Sequence, residues 1–405
     1  MAQRQPFWYS LDMFSNLFAK KRAYFDYAST TPTDKRVIEA MKPYISDKFA
    51  NPSSLYKEGV ETHKAMEISR KVVAGVLQSK PEEIIFTAGG TESNNLAILG
   101  TFFHHRNVLK KEKIHFVTTA IEHSSVLEVF EHIKSLGGKV TYISPEEDGI
   151  ISAKKVEAAI TEYTVLVSVM YANNEIGTIQ PIREIGKIVR AKKEEGKNIL
   201  FHVDGCQGAL YLTLHVQDLL CDLLTLDGSK IYGPKSTGIL FKKRSATISP
   251  TVFGGGQEQG LRSGTENVAG IVGFAESLRI AEAEREQQKM HHTKLRDRII
   301  DTLLTRVEGL KLNGDKERRL PNNINICLPG LDAEYAVLRM DALGFALSSV
   351  TTCKSLSEDS ASYVIEELYQ DESCSRSSLR ITIGRFTNER EIKGMLDALL
   401  TILRK

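Results

Sequence analysis

The stretch Asp-Gly-Ser-Lys-Ile-Tyr-Gly-Pro-Lys, residues 227–235, follows the apolar run Leu223–Leu226 and carries Lys230. A short apolar run bounded by turn residues is typical of a buried strand, so Lys230 is expected just beyond a strand's carboxyl end. Asp204 ends an earlier apolar run, 230 − 204 = 26 residues before Lys230. That interval fits one helix plus one strand, which predicts that the lysine and the carboxylate share one edge of a sheet, where ligands of such sheets bind.

A glycine-rich loop precedes both residues, in Thr-Ala-Gly-Gly-Thr-Glu-Ser-Asn-Asn-Leu at 87–96. The two glycines allow close backbone approach, and Thr91 is expected to cap a helix that begins at Glu92. Free N–H groups and the helix dipole at such a terminus favour an anion. Taken alone, a Gly-Gly-Thr run before a helix is more often ordinary turn and cap chemistry.

Together, the loop, Asp204 and Lys230 predict a pocket for pyridoxal 5'-phosphate (PLP). The lysine amine can hold a carbonyl cofactor as a Schiff base, and the carboxylate can keep a pyridine nitrogen protonated. The backbone N–H groups of the loop can hold the phosphate. Each feature has a common structural explanation, and only their combination is specific.

Apolar, β-rich runs alternate with helical patterns along the first two thirds of the chain. This order is typical of an α/β fold with a mostly parallel sheet flanked by helices. Runs that are apolar throughout suit a sheet buried on both faces. The predicted strands are Ile84–Thr87, Ile114–Thr118, Val140–Ser144, Val165–Met170, Ile199–Asp204, Leu223–Leu226 and Gly238–Phe241.

The pattern changes after a long charged helix predicted from about Glu276 to Arg306. Short strands and a final helix from about Asn388 to Leu403 then indicate a smaller α+β domain. We therefore predict an N-terminal arm (1–24), a large cofactor-binding domain (25–275) and a small C-terminal domain (276–405). The predicted strands of the small domain are Asn323–Leu328, Phe345–Val350 and Ser378–Ile383.

Composition indicates an ordinary globular enzyme. The 405 residues are 41% hydrophobic and 26% charged, with a net charge of +2. This balance gives no positive field for nucleic-acid binding, and no apolar run has the length that spans a bilayer. The five cysteines show neither a CxxC pair nor zinc-ligand spacing, so we expect no disulfide framework, no metal site and a cytoplasmic location.

The first 22 residues form an aromatic, amphipathic segment whose role the sequence leaves open. Its apolar residues precede Lys20, Lys21 and Arg22. An arm packed on the body is the favoured interpretation, and transient membrane contact, partner contact or a weak organelle presequence are the alternatives.

From about Tyr24 to its C-terminus the chain resembles the cysteine desulfurases, the NifS/IscS group of fold-type I PLP enzymes in the class-V aminotransferase superfamily. Many motifs match in register, and this makes the resemblance specific. They are Asp-Tyr-Ala-Ser-Thr-Thr-Pro (26–32), Asn-Pro-Ser-Ser (51–54), Thr-Glu-Ser-Asn-Asn (91–95), Glu-His (122–123), Asn-Asn-Glu-Ile-Gly (173–177), His-Val-Asp-Gly-Cys-Gln (202–207), Lys-Ile-Tyr-Gly-Pro-Lys (230–235), Arg-Ser-Gly-Thr-Glu-Asn (262–267) and Arg-Ile-Thr-Ile-Gly-Arg-Phe-Thr (380–387).

The resemblance implies roles at the ring and substrate end of the pocket. His123 would stack on the cofactor ring and help in proton transfer. Gln207 and Asn174 would bind the phenolic oxygen side, with Asn174 also near the substrate. Arg380 would hold the carboxylate of the substrate L-cysteine, a role suited to a bidentate guanidinium.

At the phosphate end, the resemblance assigns Gly90, Thr91 and the run 227–230, which comprises Asp227, Gly228, Ser229 and Lys230. Thr265 would reach the phosphate in a neighbouring subunit, which implies a homodimer. Asp227 departs from the family, which has serine there. A carboxylate repels a phosphate unless it turns away, is protonated or binds a cation.

The family also places a nucleophilic cysteine on a polar loop of the small domain, and here that residue is Cys353. The implied reaction removes sulfur from L-cysteine, giving L-alanine and a Cys353 persulfide. The acceptor would be an iron–sulfur scaffold, a tRNA-thiolation carrier or a free thiol. Of the other cysteines, Cys206, Cys221 and Cys327 are expected to be structural. Cys374 is a candidate second exposed thiol.

Rival hypotheses remain at this stage. Enzymes with the same fold catalyse aminotransferase, kynureninase and selenocysteine lyase reactions, so the fold alone does not separate these activities. Cys353 and its loop are the features that distinguish a cysteine desulfurase from them. A weakly active or inactive homologue that binds a partner is the alternative from another class, and Asp227 motivates it.

Overall fold

The computed structural model describes residues 22–349, 361–369 and 372–403. Within these residues a seven-stranded sheet has the order β2-β8-β7-β6-β5-β3-β4. Its strands run parallel except β8, which is antiparallel to both neighbours. The strands are β2 (Ile84–Thr87), β3 (His115–Thr119), β4 (Lys139–Ile143), β5 (Thr164–Met170), β6 (Leu200–Asp204), β7 (Leu223–Asp227) and β8 (Gly238–Lys242).

Helices cover both faces of this sheet, so its central strands are buried on both sides. Every residue of β5 and β6 is buried. Each fully buried Val, Leu or Ile side chain contributes about 1.5–3 kcal/mol, which explains why apolar runs without alternation form these strands. The helices of this part are α1 (Lys35–Met41), α2 (Lys57–Leu77), α3 (Gly90–Phe103), α4 (Ser124–Ser135), α5 (Ala153–Ala159), α6 (Ile182–Glu194) and α7 (Val216–Leu219).

A second, four-stranded sheet has the order β12-β13-β10-β9, and β1 pairs with β11 beside it. These strands share a separate core with α9 and α12. The remaining strands and α-helices, apart from the long helix described next, are β1 (Ala23–Tyr24), β9 (Lys311–Leu312), β10 (Asn323–Cys327), α9 (Ala333–Ala342), β11 (Phe345–Ala346), β12 (Ser348–Ser349), α10 (Tyr363–Tyr369), α11 (Glu372–Ser375), β13 (Ser378–Thr382) and α12 (Glu389–Leu403). Of these, α10 and α11 pack instead on the core of the large sheet, through Val364, Ile365, Leu368 and Cys374.

The long helix α8 (Val268–Arg306) connects the two cores. Phe274 and Leu278 pack in the core of the large sheet, whereas Leu295 and Ile299 pack in that of the second. The helix begins eight residues before the predicted Glu276, because the side chain of Asn267 accepts from the Gly270 amide and caps it there. The domain boundary between residues 275 and 276 remains a prediction and falls inside this helix.

A disulfide joins Cys327 at the end of β10 to Cys374 in α11. The expectation that the cysteines form no disulfide was therefore wrong for this pair. Cys374 is 2% exposed, so the idea of a second exposed thiol was also wrong. Sequence spacing could not reveal the pair, because the two residues are 47 positions apart and meet only through the tertiary fold.

Among the described helices, none is both long and apolar enough to cross a membrane.

Candidate active site

A cavity of about 300 Å³ lies beyond the carboxyl ends of β5, β6 and β7. It opens where the topology of a mostly parallel sheet predicts ligand binding. Most of the site residues predicted from the sequence lie in its wall, and their roles remain predictions. The predicted site residues that line it are Gly90, Thr91, His123, Asn174, Asp204, Gln207, Asp227, Ser229, Lys230 and Arg380.

Lys230 lies in a single 3-10 turn directly after β7. Its Nζ donates to the carbonyl oxygens of Ala28 (2.9 Å) and Ser29 (2.6 Å). Gly228 begins the turn, and a Cβ there would come within 2.3 Å of the Thr237 hydroxyl oxygen. Glycine at 228 therefore lets the turn lie close to β8 and points the lysine towards the cavity.

Asp204 ends β6 with both carboxylate oxygens held. Its Oδ2 accepts from Asn94 Nδ2 at 2.8 Å, and its Oδ1 accepts from the Cys206 amide at 3.0 Å. The side chain of Asn94 is also within 2.9 Å of the Ser125 hydroxyl. Asn94 lies in the Thr-Glu-Ser-Asn-Asn motif (91–95), but no role was predicted for it. Its position on α3, the helix that follows the glycine loop, was the available signal.

His123 precedes α4 and caps it. Its Nδ1 accepts from the Ser125 amide at 3.1 Å, so the proton of the neutral ring lies on Nε2. Burial lowers the pKa of His123; the Asp204 carboxylate opposes this effect, and the Lys230 ammonium adds to it. A neutral ring with a fixed orientation suits a group that contacts a ligand and moves a proton.

Arg380 on β13 brings the second sheet to the cavity. One terminal nitrogen donates to the Asn174 carbonyl oxygen at 3.0 Å, and the other donates to Asp26 Oδ1 and the Ser29 hydroxyl, each at 2.8 Å. Asp26 lies in the motif 26–32, but its role as the carboxylate that orients Arg380 was not predicted.

Gln207, also in the cavity wall, has its side-chain amide held by the backbone: its Nε2 donates to the Ala28 carbonyl oxygen at 3.0 Å.

The helix α3 begins at Gly90, two residues earlier than the predicted Glu92. Gly89 is the residue before the helix, at φ 137°, a conformation that favours glycine, and Gly90 is its first residue. The expected side-chain cap by Thr91 was wrong, because Thr91 is already inside the helix. Asp227 Oδ2 instead accepts from the Gly90 amide at 2.8 Å.

Two of the predicted residues that the structure describes, Gly228 and Thr265, do not line this cavity. Gly228 is the first residue of the Lys230 turn and is buried against Thr237. Thr265 lines a different cleft with Arg262 and Thr87, so its proposed contact in a neighbouring subunit remains a prediction. Cys353 lies outside the described residues.

A further carboxyl group was not foreseen. Glu175 lines the cavity, and its Oε2 accepts from the Ser362 hydroxyl at 2.6 Å. Burial raises the pKa of Glu175 to about 7, although the hydrogen bond from Ser362 and the charge of Arg380 oppose the shift. The hydrogen bond from Ser362 to Glu175 holds the segment 361–369 against the cavity wall.

The donor set fits PLP. An amine, a carboxylate and helix-terminal amides surround one cavity, and three buried polar atoms in its wall lack partners within the described chain: Asn94 Oδ1, Asn174 Oδ1 and Arg380 Nε. Buried polar atoms without partners cost about 1–3 kcal/mol each, which a polar ligand can recover. Asp227 is the one feature that departs from this fit.

Known proteins are similar to this chain over most of its length. The family model described as Aminotransferase class-V matches residues 23–395. Cysteine desulfurase IscS of Dictyoglomus turgidum is 38% identical over 386 residues, covering 95% of each chain. Cysteine desulfurase IscS of Rickettsia bellii is 42% identical over 385 residues, which are 94% of this chain and 91% of the relative.

Solved structures of known proteins have a similar fold. A structure titled NifS-like protein has a TM-score of 0.86 and 33% identity, covering 94% of this chain and 99% of its own. Another, titled SspA in complex with cysteine, has a TM-score of 0.77 and 33% identity, covering 90% of this chain and 100% of its own.

The chain belongs to the class-V aminotransferase family. Within it, the chain groups with the cysteine desulfurases of the IscS and NifS type. The predicted fold class and PLP dependence are thereby confirmed.

Proposed function

We propose that this chain is a PLP-dependent cysteine desulfurase, which converts L-cysteine to L-alanine and retains the sulfur as a persulfide on Cys353. The observation that carries the proposal is the convergence of Lys230, Asp204, His123 and Arg380 on one cavity. These residues come from separate segments, and together they supply the groups that PLP chemistry on an amino acid needs.

Each residue has a distinct task in holding PLP. Lys230 would bind the aldehyde carbon, Asp204 would pair with the pyridine nitrogen, and His123 would stack on the ring. Gln207 and Asn174 would serve the phenolic oxygen, whereas the donors at Gly90, Thr91 and Ser229 would serve the phosphate. When bound, PLP supplies an electron sink for negative charge at the substrate Cα.

The chain's own groups then direct the substrate. Arg380, held by Asp26 at 2.8 Å, presents its guanidinium to the carboxylate of cysteine. Lys230 removes the proton at Cα. The Cys353 thiolate attacks the substrate sulfur, so an S–S bond forms and the Cβ–S bond breaks. The electron pair stays on Cβ, which takes up a proton and becomes the methyl group of alanine.

The finer assignments belong to the same proposal. The protein acts as a homodimer in which Thr265 serves the neighbouring site, and an iron–sulfur scaffold or a thiolation carrier takes the persulfide sulfur. A cytoplasmic location is proposed because the Cys353 thiol must be reduced to act, and reducing compartments keep thiols reduced. The Cys327–Cys374 disulfide does not conflict with this location, because Cys327 is fully buried and Cys374 is 2% exposed, which shields the bond from reductants. Cys206 and Cys221 are free thiols in the described part of the chain.

The decisive experiment is incubation of the purified protein with L-cysteine. We expect a shift of the cofactor absorption band, formation of alanine, and one added sulfur on the peptide that contains Cys353, detected by mass spectrometry. The Cys353→Ala variant should keep the band but lose at least about 10³-fold in alanine formation. Cys206 also presents a free thiol to the cavity, but burial raises its pKa well above the ordinary value, so it is a poor nucleophile. Sulfur release at the original rate by this variant would refute the assignment.

Arg380→Lys should raise KM for cysteine by about 10- to 100-fold with a smaller change in kcat, because an ammonium cannot make the bidentate contact. Steady-state kinetics of alanine formation measures both constants. Arg385→Lys is the matched control, since Arg385 pairs with Asp34 and Glu284 rather than lining the cavity, and its KM should match the unmodified enzyme. An unchanged KM in Arg380→Lys would remove the substrate-binding role.

A further inference from the structure

The carboxylate of Asp227 already occupies donors at the phosphate end of the cavity. Its Oδ2 accepts from the Gly90 amide at 2.8 Å, and its Oδ1 accepts from the amide (2.7 Å) and hydroxyl (2.6 Å) of Ser229. Both oxygens therefore bind the groups that would hold a phosphate. The carboxylate faces the glycine loop instead of turning away from it: a Cβ placed on Gly89 would lie only 3.2 Å from the Asp227 Oδ2.

No ion pair offsets this charge among the residues that the structure describes. The nearby ammonium groups of Lys230 and Lys235 donate to carbonyl oxygens of the segment 28–31. A second acid, Glu92, accepts from the Ala88 amide at 2.9 Å and pairs with Arg262. The start of α3 thus faces two carboxylates of the protein itself.

We propose that Asp227 is an internal anion that competes with the cofactor phosphate for the Gly90 and Ser229 donors, and so sets both the affinity for PLP and the selectivity between PLP and unphosphorylated pyridoxal. A phosphate that enters must displace the carboxylate or share the donors with it, and two anions at hydrogen-bond distance repel each other. Pyridoxal has the same aldehyde and ring but no phosphate, so Asp227 opposes it far less. The inference rests on the proposed function, because it takes PLP as the cofactor.

Binding to the full chain, stripped of cofactor with hydroxylamine and dialysed, tests this inference without turnover. Dissociation constants for PLP and for pyridoxal are measured by titration of the absorption band in the unmodified protein, Asp227→Ser and Asp227→Asn. We expect Asp227→Ser to bind PLP about 10- to 100-fold more tightly, with pyridoxal affinity changed by less than about threefold. Asp227→Asn removes the charge and replaces one acceptor oxygen with an NH2 donor, so about tenfold tighter binding of PLP is expected.

The matched control is Glu162→Gln, which removes one charge from an exposed turn before β5, at the opposite edge of the sheet. It should leave both dissociation constants unchanged. Equal PLP affinity in all four proteins, or an equal change for PLP and pyridoxal, would overturn the inference and leave the proposed function intact. Failure of every protein to bind either compound would overturn the proposed function and the inference with it.

Discussion

Replacing Lys230 with alanine is expected to lower alanine formation from cysteine by at least about 10³-fold, because the variant loses both the amine that binds the cofactor and the group that moves the Cα proton. The absorption band of lysine-bound PLP should vanish at the same time. The two readings are the spectrum of the purified protein and the rate of alanine formation per chain.

Lys235→Ala is the matched control for this experiment. Lys235 lies in the same run of sequence, but its Nζ donates to the Thr31 carbonyl oxygen and does not line the cavity. Its band should persist, and its rate should stay within about threefold. An unaltered band in Lys230→Ala would show that the cofactor is held by another amine and would move the active site elsewhere.

Replacing Asp204 with asparagine is expected to lower kcat by about 10²- to 10³-fold, comparable to the loss of one pre-organised electrostatic partner. Asp204 is 7% exposed and is held by Asn94 and by the Cys206 amide, so water cannot readily replace its charge. The lysine-bound cofactor should remain visible, because Lys230 is intact. Rates must be expressed per bound cofactor, which separates lost chemistry from lost occupancy.

Asp222→Asn gives the comparison for Asp204. Asp222 is also a buried aspartate of the large sheet, but it precedes β7 and accepts from the Phe201 amide at the opposite edge. Its loss should lower the melting temperature and leave the rate per bound cofactor unchanged. Equal rate losses in the two variants would reduce Asp204 to a structural residue.

The strands were predictable because their signal is local. A strand buried on both faces needs apolar residues throughout, and β5 and β6 were located to within one residue on that basis alone. The positions of Asp204, at the end of β6, and of Lys230, just after β7, were predicted for the same reason. Their spacing in sequence places them at one edge of the sheet before any side-chain contact is known.

The contacts that orient these residues were not predictable in this way. Asp26 reaches Arg380 across 354 positions, Asp227 reaches Gly90 across 137, and Cys327 pairs with Cys374 across 47. Each contact depends on where two distant segments are placed by the packing of two cores.

By itself, the sequence therefore determined the α/β class and the dependence on PLP, and it predicted the reacting side chains, because strand composition and motif spacing are properties of short segments. Only the tertiary structure decided that Asp227 fills the phosphate donors and that Asp26 holds Arg380. Hydrogen bonds between distant segments form through space, and their partners are fixed only when the cores are packed.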